Sequence, residues 1–214
     1  MFKVNQFCLL VFVGLLLSHN IVQSIVEPVV NFVKKEARGA RRETFEAALH
    51  LIDQRSVKTI IETGTARGGA LAFDGDGAFT VFFGYWSALN GADLYSVDIN
   101  PYAIQNARYI VSEYEKNVHF IEDDSAHFLQ QFHKPIDFLY LDSFDFDSNN
   151  PEPSQLHHLH EIEAAYDKLT PNAIVMIDDC GLPHGGKGKL VIDYLLKKGW
   201  RTYMESYQVI MVRS

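Results

Sequence analysis

The stretch TIIETGTARGG, residues 59–69, decides how the rest of the chain is read. Val57, Ile60 and Ile61 supply the β-branched run of a short buried strand. The glycine-rich turn that follows lets backbone approach a ligand with no Cβ in the way. An acidic residue and a glycine turn at the carboxyl end of a first parallel strand mark the position at which open α/β sheets bind nucleotides. The segment is therefore the expected binding site.

Toward the C-terminus, Asp74-Gly-Asp-Gly77 prolongs the loop, and residues 79–89 are predicted as a helix with a wide apolar face of Val81, Phe82, Tyr85, Trp86 and Leu89. Asp74 and Asp76 resemble calcium-loop ligands, but the later glutamate of such a loop is missing, and Asp76 reads better as a helix cap. Asn90-Gly91 breaks the chain. Residues 94–97 form a second strand ending in Asp98-Ile-Asn-Pro101, where a carboxylate can accept both hydroxyls of a ribose or cap the next helix, 103–114. A third strand, 118–121, runs into Glu122-Asp-Asp-Ser125 ahead of a helix at 126–132. Three adjacent acids are costly unless solvated or used, and a carboxylate here can accept from an exocyclic amine. The fourth strand, 136–141, is apolar apart from Asp137 and ends in Asp142. The loop after it, 143–154, is long enough to serve as a substrate-facing lid.

A helix is predicted at 155–169, carrying His157, His158 and His160. Such a cluster admits metal ligation, although 157 and 160 share a face that 158 does not. Thr170-Pro-Asn172 reads as a stop, and 173–177 as a fifth buried strand ending in Asp178-Asp-Cys-Gly181. Strand and helix alternate five times, which predicts a parallel sheet. PHGGKGK, residues 183–189, is a flexible basic loop that shares only composition with a phosphate loop. Leu190, Val191, Tyr194 and Leu195 mark a last helix, and 200–203 with 207–212 read as an antiparallel hairpin closing the sheet.

Toward the N-terminus, residues 41–54 carry Phe45, Ala48, Leu49 and Ile52 at helical spacing. Residues 7–17 are an uncharged apolar run behind Lys3, followed by a tolerable cleavage site at Val22-Gln-Ser24. Two placements follow. One is export by a signal peptide; the other is a membrane anchor, with the basic stretch Lys34, Lys35, Arg38, Arg41 and Arg42 holding the domain on the cytoplasmic side. A third reading is a buried amphipathic helix or a misassigned start codon. The expected division is an apolar leader at 1–33 and one folded domain at 34–214. A formal net charge of −8 argues against a nucleic-acid partner and for a small polar substrate. With Cys8 in the leader, a disulfide to Cys180 is not expected, and Cys180 reads as an ordinary small residue. Oligomeric state is not legible.

Glu62-Thr-Gly-Thr-Ala-Arg-Gly-Gly69, Asp98, Asp123-Asp-Ser125, Asp142 and the terminal hairpin, in this order at strand ends, together resemble a class I S-adenosylmethionine-dependent methyltransferase. The resemblance covers the chain from about residue 41 onward. It implies a Rossmann-like α/β fold, with a mostly parallel seven-stranded sheet, helices on both faces and a C-terminal antiparallel hairpin. It also implies that Glu62, Gly64, Thr65 and Gly68 shape the methionine end of a cofactor pocket, that Asp98 holds the ribose, and that Asp124 and Ser125 lie against the adenine. Asp142, Asp178 and Asp179 stand where metal-dependent O-methyltransferase branches hold Mg²⁺. The alternative is a metal-free set of caps and wall hydrogen bonds. Asp142, Lys187 and His184 are the candidate catalytic residues, with His157 a further candidate base. The first loop departs from the common G-x-G-x-G pattern. The implied activity is methyl transfer to a hydroxyl of a small-molecule or sugar-like acceptor. Its rivals are a nicotinamide oxidoreductase, a hydroxylase-like relative and a non-catalytic binding protein of the same fold.

Overall fold

The computed structural model describes residues 26–68, 73, 78–113 and 115–213. Seven strands form one sheet: β1 (Thr59–Thr63), β2 (Asp93–Asp98), β3 (Val118–Glu122), β4 (Ile136–Leu141), β5 (Leu169–Ile177), β6 (Trp200–Glu205) and β7 (Val209–Arg213). Their order is β3-β2-β1-β4-β5-β7-β6, parallel from β3 to β5, with β7 antiparallel to both β5 and β6. The expected doubly wound sheet and closing hairpin are both present. The order reverses between β1 and β4, so the crevice at their carboxyl ends is the place where this architecture takes a ligand.

The central strands are buried on both faces because helices cover both. On one side lie α1 (Val26–Glu36), α2 (Arg42–Gln54), α3 (Phe79–Asn90) and α4 (Pro101–Ile110); on the other lie α5 (Ser125–Gln131), α6 (Glu152–Ala165) and α7 (Lys189–Lys197). Ile60, Phe138, Tyr140 and Met176 face the first layer, while Ile61, Leu139, Leu141 and Ile177 face the second. That alternation is the period-two geometry of strands. Phe79 anchors the first layer, stacked between Phe83 at 3.9 Å and Tyr140 at 4.1 Å.

Several elements differ from expectation for local reasons. The N-cap of α3 is Ala78, which is in a left-handed conformation; Asp76, the expected cap, lies with residues 74–77 outside the described residues. The α4 cap is Asn100, whose side chain accepts from Tyr102 N at 2.9 Å, with Pro101 opening the helix. Thr170-Pro-Asn172 is not a stop but the entry of β5, at an irregularity where the pairing with β4 shifts register, the setting in which a strand tolerates proline. Asp137, the polar residue of β4, accepts from Lys58 N, Thr59 N and Thr170 Oγ1, tying the starts of β1 and β5 together.

The expected localisation is corrected. Among the described residues no helix is long and apolar enough to cross a membrane. The stretch that would have had to extend the apolar run is instead α1, whose Val26, Val29, Val30 and Val33 are buried against the core. Arg41, counted among the basic residues that would hold an anchor's orientation, turns inward to the carboxyl edge of β5. The apolar run itself and its cleavage site, within residues 1–25, lie outside the described residues.

Candidate active site

The carboxyl ends of β1, β2, β4 and β5 frame two adjoining cavities that share Gly64, Asp98 and Ser143. The smaller, about 260 Å³, is lined by Val97, Ile99, Asp123, Asp124, Ser125, Phe144 and His157. The larger, about 470 Å³, is lined by Arg41, Thr65, Arg67, Asp142, Asp145, Phe146, Asp179, Leu182, Lys187 and Tyr207.

The turn after β1 separates them. Gly64 has φ +80, and a Cβ there would lie 2.5 Å from the Asp142 carbonyl oxygen, so the close pass of β1 over β4 requires glycine. Glu62 lines neither cavity. It is buried beneath the turn, accepting from Thr80 Oγ1 at 2.7 Å and from Ser96 Oγ at 2.6 Å. Thr80 Oγ1 in turn accepts from Ala66 N at 2.9 Å, and Ser96 Oγ lies 2.8 Å from Thr65 Oγ1. Burial raises the Glu62 pKa to about 8, against the lowering by those hydroxyls. Glu62 thus shapes the turn from below. Gly68 belongs to the turn but lines neither cavity.

Asp98 accepts from Thr65 N at 3.2 Å and Asn100 N at 2.8 Å, which aims its carboxylate between the two cavities. Asp124 caps α5 through His127 N at 2.8 Å. Ser125 Oγ lies 3.0 Å from His157 Nε2, and Ser143 Oγ donates to buried Glu161 at 2.7 Å. Burial would push the Glu161 carboxyl up, but His158 and His157 outweigh it and hold it down at about 2. The histidine cluster does not assemble: His157 faces the smaller cavity, His158 is buried on Ser154 O at 2.7 Å, and His160 is exposed.

The strand-end acids do converge, and they meet cations of the chain itself. Lys187 Nζ donates to Asp142 Oδ1 at 2.7 Å and lies 3.1 Å from Asp179 Oδ2, with the residue only 2% exposed. Arg41 Nε donates to Asp178 at 3.0 and 2.8 Å, and its Nη2 to Asp179 Oδ1 at 2.9 Å. Tyr140 and Tyr207 hydroxyls donate to Asp178 Oδ2 and Asp179 Oδ1, each at 2.6 Å. Among the described residues no group of three or more His, Cys, Asp or Glu side chains is arranged to hold a metal ion. The donor set therefore does not fit Mg²⁺ as it stands, because every carboxylate already faces a protein cation or hydroxyl.

This packing also sorts the candidate catalytic residues. Burial lowers the affinity of Lys187 for its proton, but Asp142 and Asp179 more than offset that and hold its pKa above the ordinary lysine value. It is a cation, not a base. His184 is exposed in a left-handed turn and lines neither cavity. Asp142 is raised well above the usual carboxylate range, by burial and then by Asp178. Cys180 is likewise raised, by burial and Asp178, which makes it a poor nucleophile. The loop at 183–189 is not free: Gln155 Nε2 donates to His184 O at 3.1 Å and Gly186 O at 2.9 Å. A Cβ at Gly186 would fall 1.7 Å from Asp179 O, so this glycine is what lets the loop press Lys187 into the acids. Arg41, Tyr140, Tyr207, Thr80, Ser96 and Glu161 were not singled out from the sequence, since each acts across an element boundary. A buried glutamate and paired polar residues on otherwise apolar elements were the available signal.

The family model described as a methyltransferase domain matches residues 61–180, more than half of the chain. No curated protein matches in sequence. Among solved structures, a Staphylococcus aureus protein assigned provisionally as a caffeoyl-CoA O-methyltransferase superposes with a TM-score of 0.55 at 17% identity, covering 95% of this chain and 97% of that one. The SAH-bound Podospora anserina methyltransferase PaMTH1 gives 0.52 at 15% identity, covering 100% and 97%. The N-methyltransferase NodS from Bradyrhizobium japonicum gives 0.50 at 14%, covering 80% and 95%. At such identities the structures attest the fold alone, and the sequence match carries the membership: the chain belongs to the methyltransferase-domain family, on the class I S-adenosylmethionine-dependent fold.

Proposed function

We propose that this chain transfers a methyl group from S-adenosylmethionine to a hydroxyl of a small polar acceptor. The observation that carries the reading is the pair of cavities joined at Gly64, Asp98 and Ser143. The smaller suits an adenosine, and the larger a methionine end together with an acceptor. Asp98 is assigned to the ribose hydroxyls, Asp124 and Ser125 to the adenine, and Gly64, Thr65 and Gly68 to the methionine end, with Glu62 holding the turn from beneath. When bound, S-adenosylmethionine supplies the methyl group on a sulfonium, which leaves as a neutral thioether. The chain supplies alignment: the turn fixes one partner and the Arg41, Lys187 and Tyr207 wall the other. As the acceptor oxygen gains its bond to carbon it loses its proton, and the Asp142 carboxylate is the base within the cavity wall. The excess of acids over basic residues supports a small-molecule acceptor over a nucleic acid.

Calorimetric titration with S-adenosylmethionine tests the reading. Binding is expected, weakened about 100-fold in Asp98→Ala by loss of charge-assisted hydrogen bonds worth about 3 kcal/mol. A folded wild-type protein without binding would sink it.

A further inference from the structure

We infer that the ammonium of Lys187, clamped between Asp142 and Asp179, stands where a divalent cation would sit among the strand-end acids, so that the chain performs its chemistry without one. The inference rests on the methyl-transfer reading and deepens it. Magnesium needs a near-octahedral set of free oxygens at about 2.1 Å. Here Asp142 Oδ1 takes Lys187 at 2.7 Å, and Asp179 Oδ2 takes the same nitrogen at 3.1 Å. Both Asp178 oxygens and Asp179 Oδ1 are taken by Arg41, with Tyr140 and Tyr207 adding a hydroxyl each. A metal could enter only by expelling Lys187, and the loop that carries it has no slack: Gln155 holds it at two carbonyls, and Gly186 is packed on Asp179.

The substitution keeps the electrostatic part of a metal's work and discards the rest. One ammonium offsets the repulsion between Asp142 and Asp179, while Arg41 does the same for Asp178. Lys187 also lines the larger cavity, so an N–H not committed to the two acids is available to hold an acceptor oxygen in place as its proton passes to Asp142. The acceptor class that fits is one presenting a single hydroxyl to a point cation, rather than a vicinal pair that needs chelation.

The test is a titration of the full chain with Mn²⁺, read by the electron paramagnetic resonance of free metal, with thermal melting in Mg²⁺ alongside. Wild type is expected to leave Mn²⁺ free at millimolar metal. Folded Lys187→Ala, with the acids uncovered, is expected to bind it about tenfold more tightly or better and to melt higher in Mg²⁺. Wild-type binding that disappears in Asp179→Asn would overturn the inference, and so would a folded Lys187→Ala with no gain. Should Lys187→Ala fail to fold, the comparison of wild type with Asp179→Asn decides alone. S-adenosylhomocysteine binding, measured separately by calorimetry, reports on the methyltransferase reading whatever the metal does.

Discussion

Replacing Gly64 by alanine should damage stability and cofactor affinity together. The new Cβ would stand 2.5 Å from the Asp142 carbonyl oxygen, 3.0 Å from its carbon and 3.2 Å from Ser143 Cα, all of them backbone. Neither side can yield cheaply, because Gly64 N donates to Val97 O at 2.8 Å and Asp142 N to Thr63 O at 3.0 Å. The positive φ adds about 1–2 kcal/mol for an L-residue, and relieving the overlap adds about 1–3 kcal/mol of backbone shift. A combined loss of about 3 kcal/mol lowers the melting midpoint of a domain this size by about 10 °C. The same shift opens the joint between the cavities, so S-adenosylhomocysteine affinity should fall about tenfold or more. Gly91→Ala is the control, with φ +59 but nothing within 4 Å of its added Cβ, and should show only the conformational part. Differential scanning calorimetry and ligand titration read both effects. A Gly64→Ala protein that melts with Gly91→Ala and binds like wild type would refute the close-pass argument.

Thr80→Val keeps the shape but removes the hydroxyl that donates to Glu62 and accepts from Ala66 N, and should cost about 3 kcal/mol in denaturant unfolding, with Thr80→Ser largely retaining it. A loss no larger in Thr80→Val than in Thr80→Ser would argue against the buried network. Glu161, held down at about 2 against an ordinary 4.5, contributes stability that is fully present above the unfolded value and is lost as pH falls through the folded one. Unfolding curves between pH 5 and 2 should therefore show an acid loss of up to about 3 kcal/mol that Glu161→Gln flattens. An unchanged acid slope in that variant would show that Glu161 is not depressed.

The alternation of β-branched runs with amphipathic helices, the glycine turn after β1 and an acid at each strand's end are local facts, set by side-chain periodicity and turn chemistry. They determined the class of fold, its doubly wound sheet and the edge at which a ligand enters. Asp98, Asp124, Ser125 and Asp142 came out at that edge because a strand end is itself a local feature. What neighbours them there is not local. Glu62, placed by motif in the pocket wall, lies below it because Thr80 and Ser96, 18 and 34 residues away, supply its hydrogen bonds. Arg41, read as one of the basic residues that orient an anchor, and Lys187, read as part of a flexible basic loop, are instead drawn onto Asp178, Asp142 and Asp179. Charge pairing across 137 and 45 residues leaves no period or spacing in the chain. It is decided only when the sheet brings three carboxylates together, for a buried charge must then be matched by whichever cation the tertiary fold can deliver.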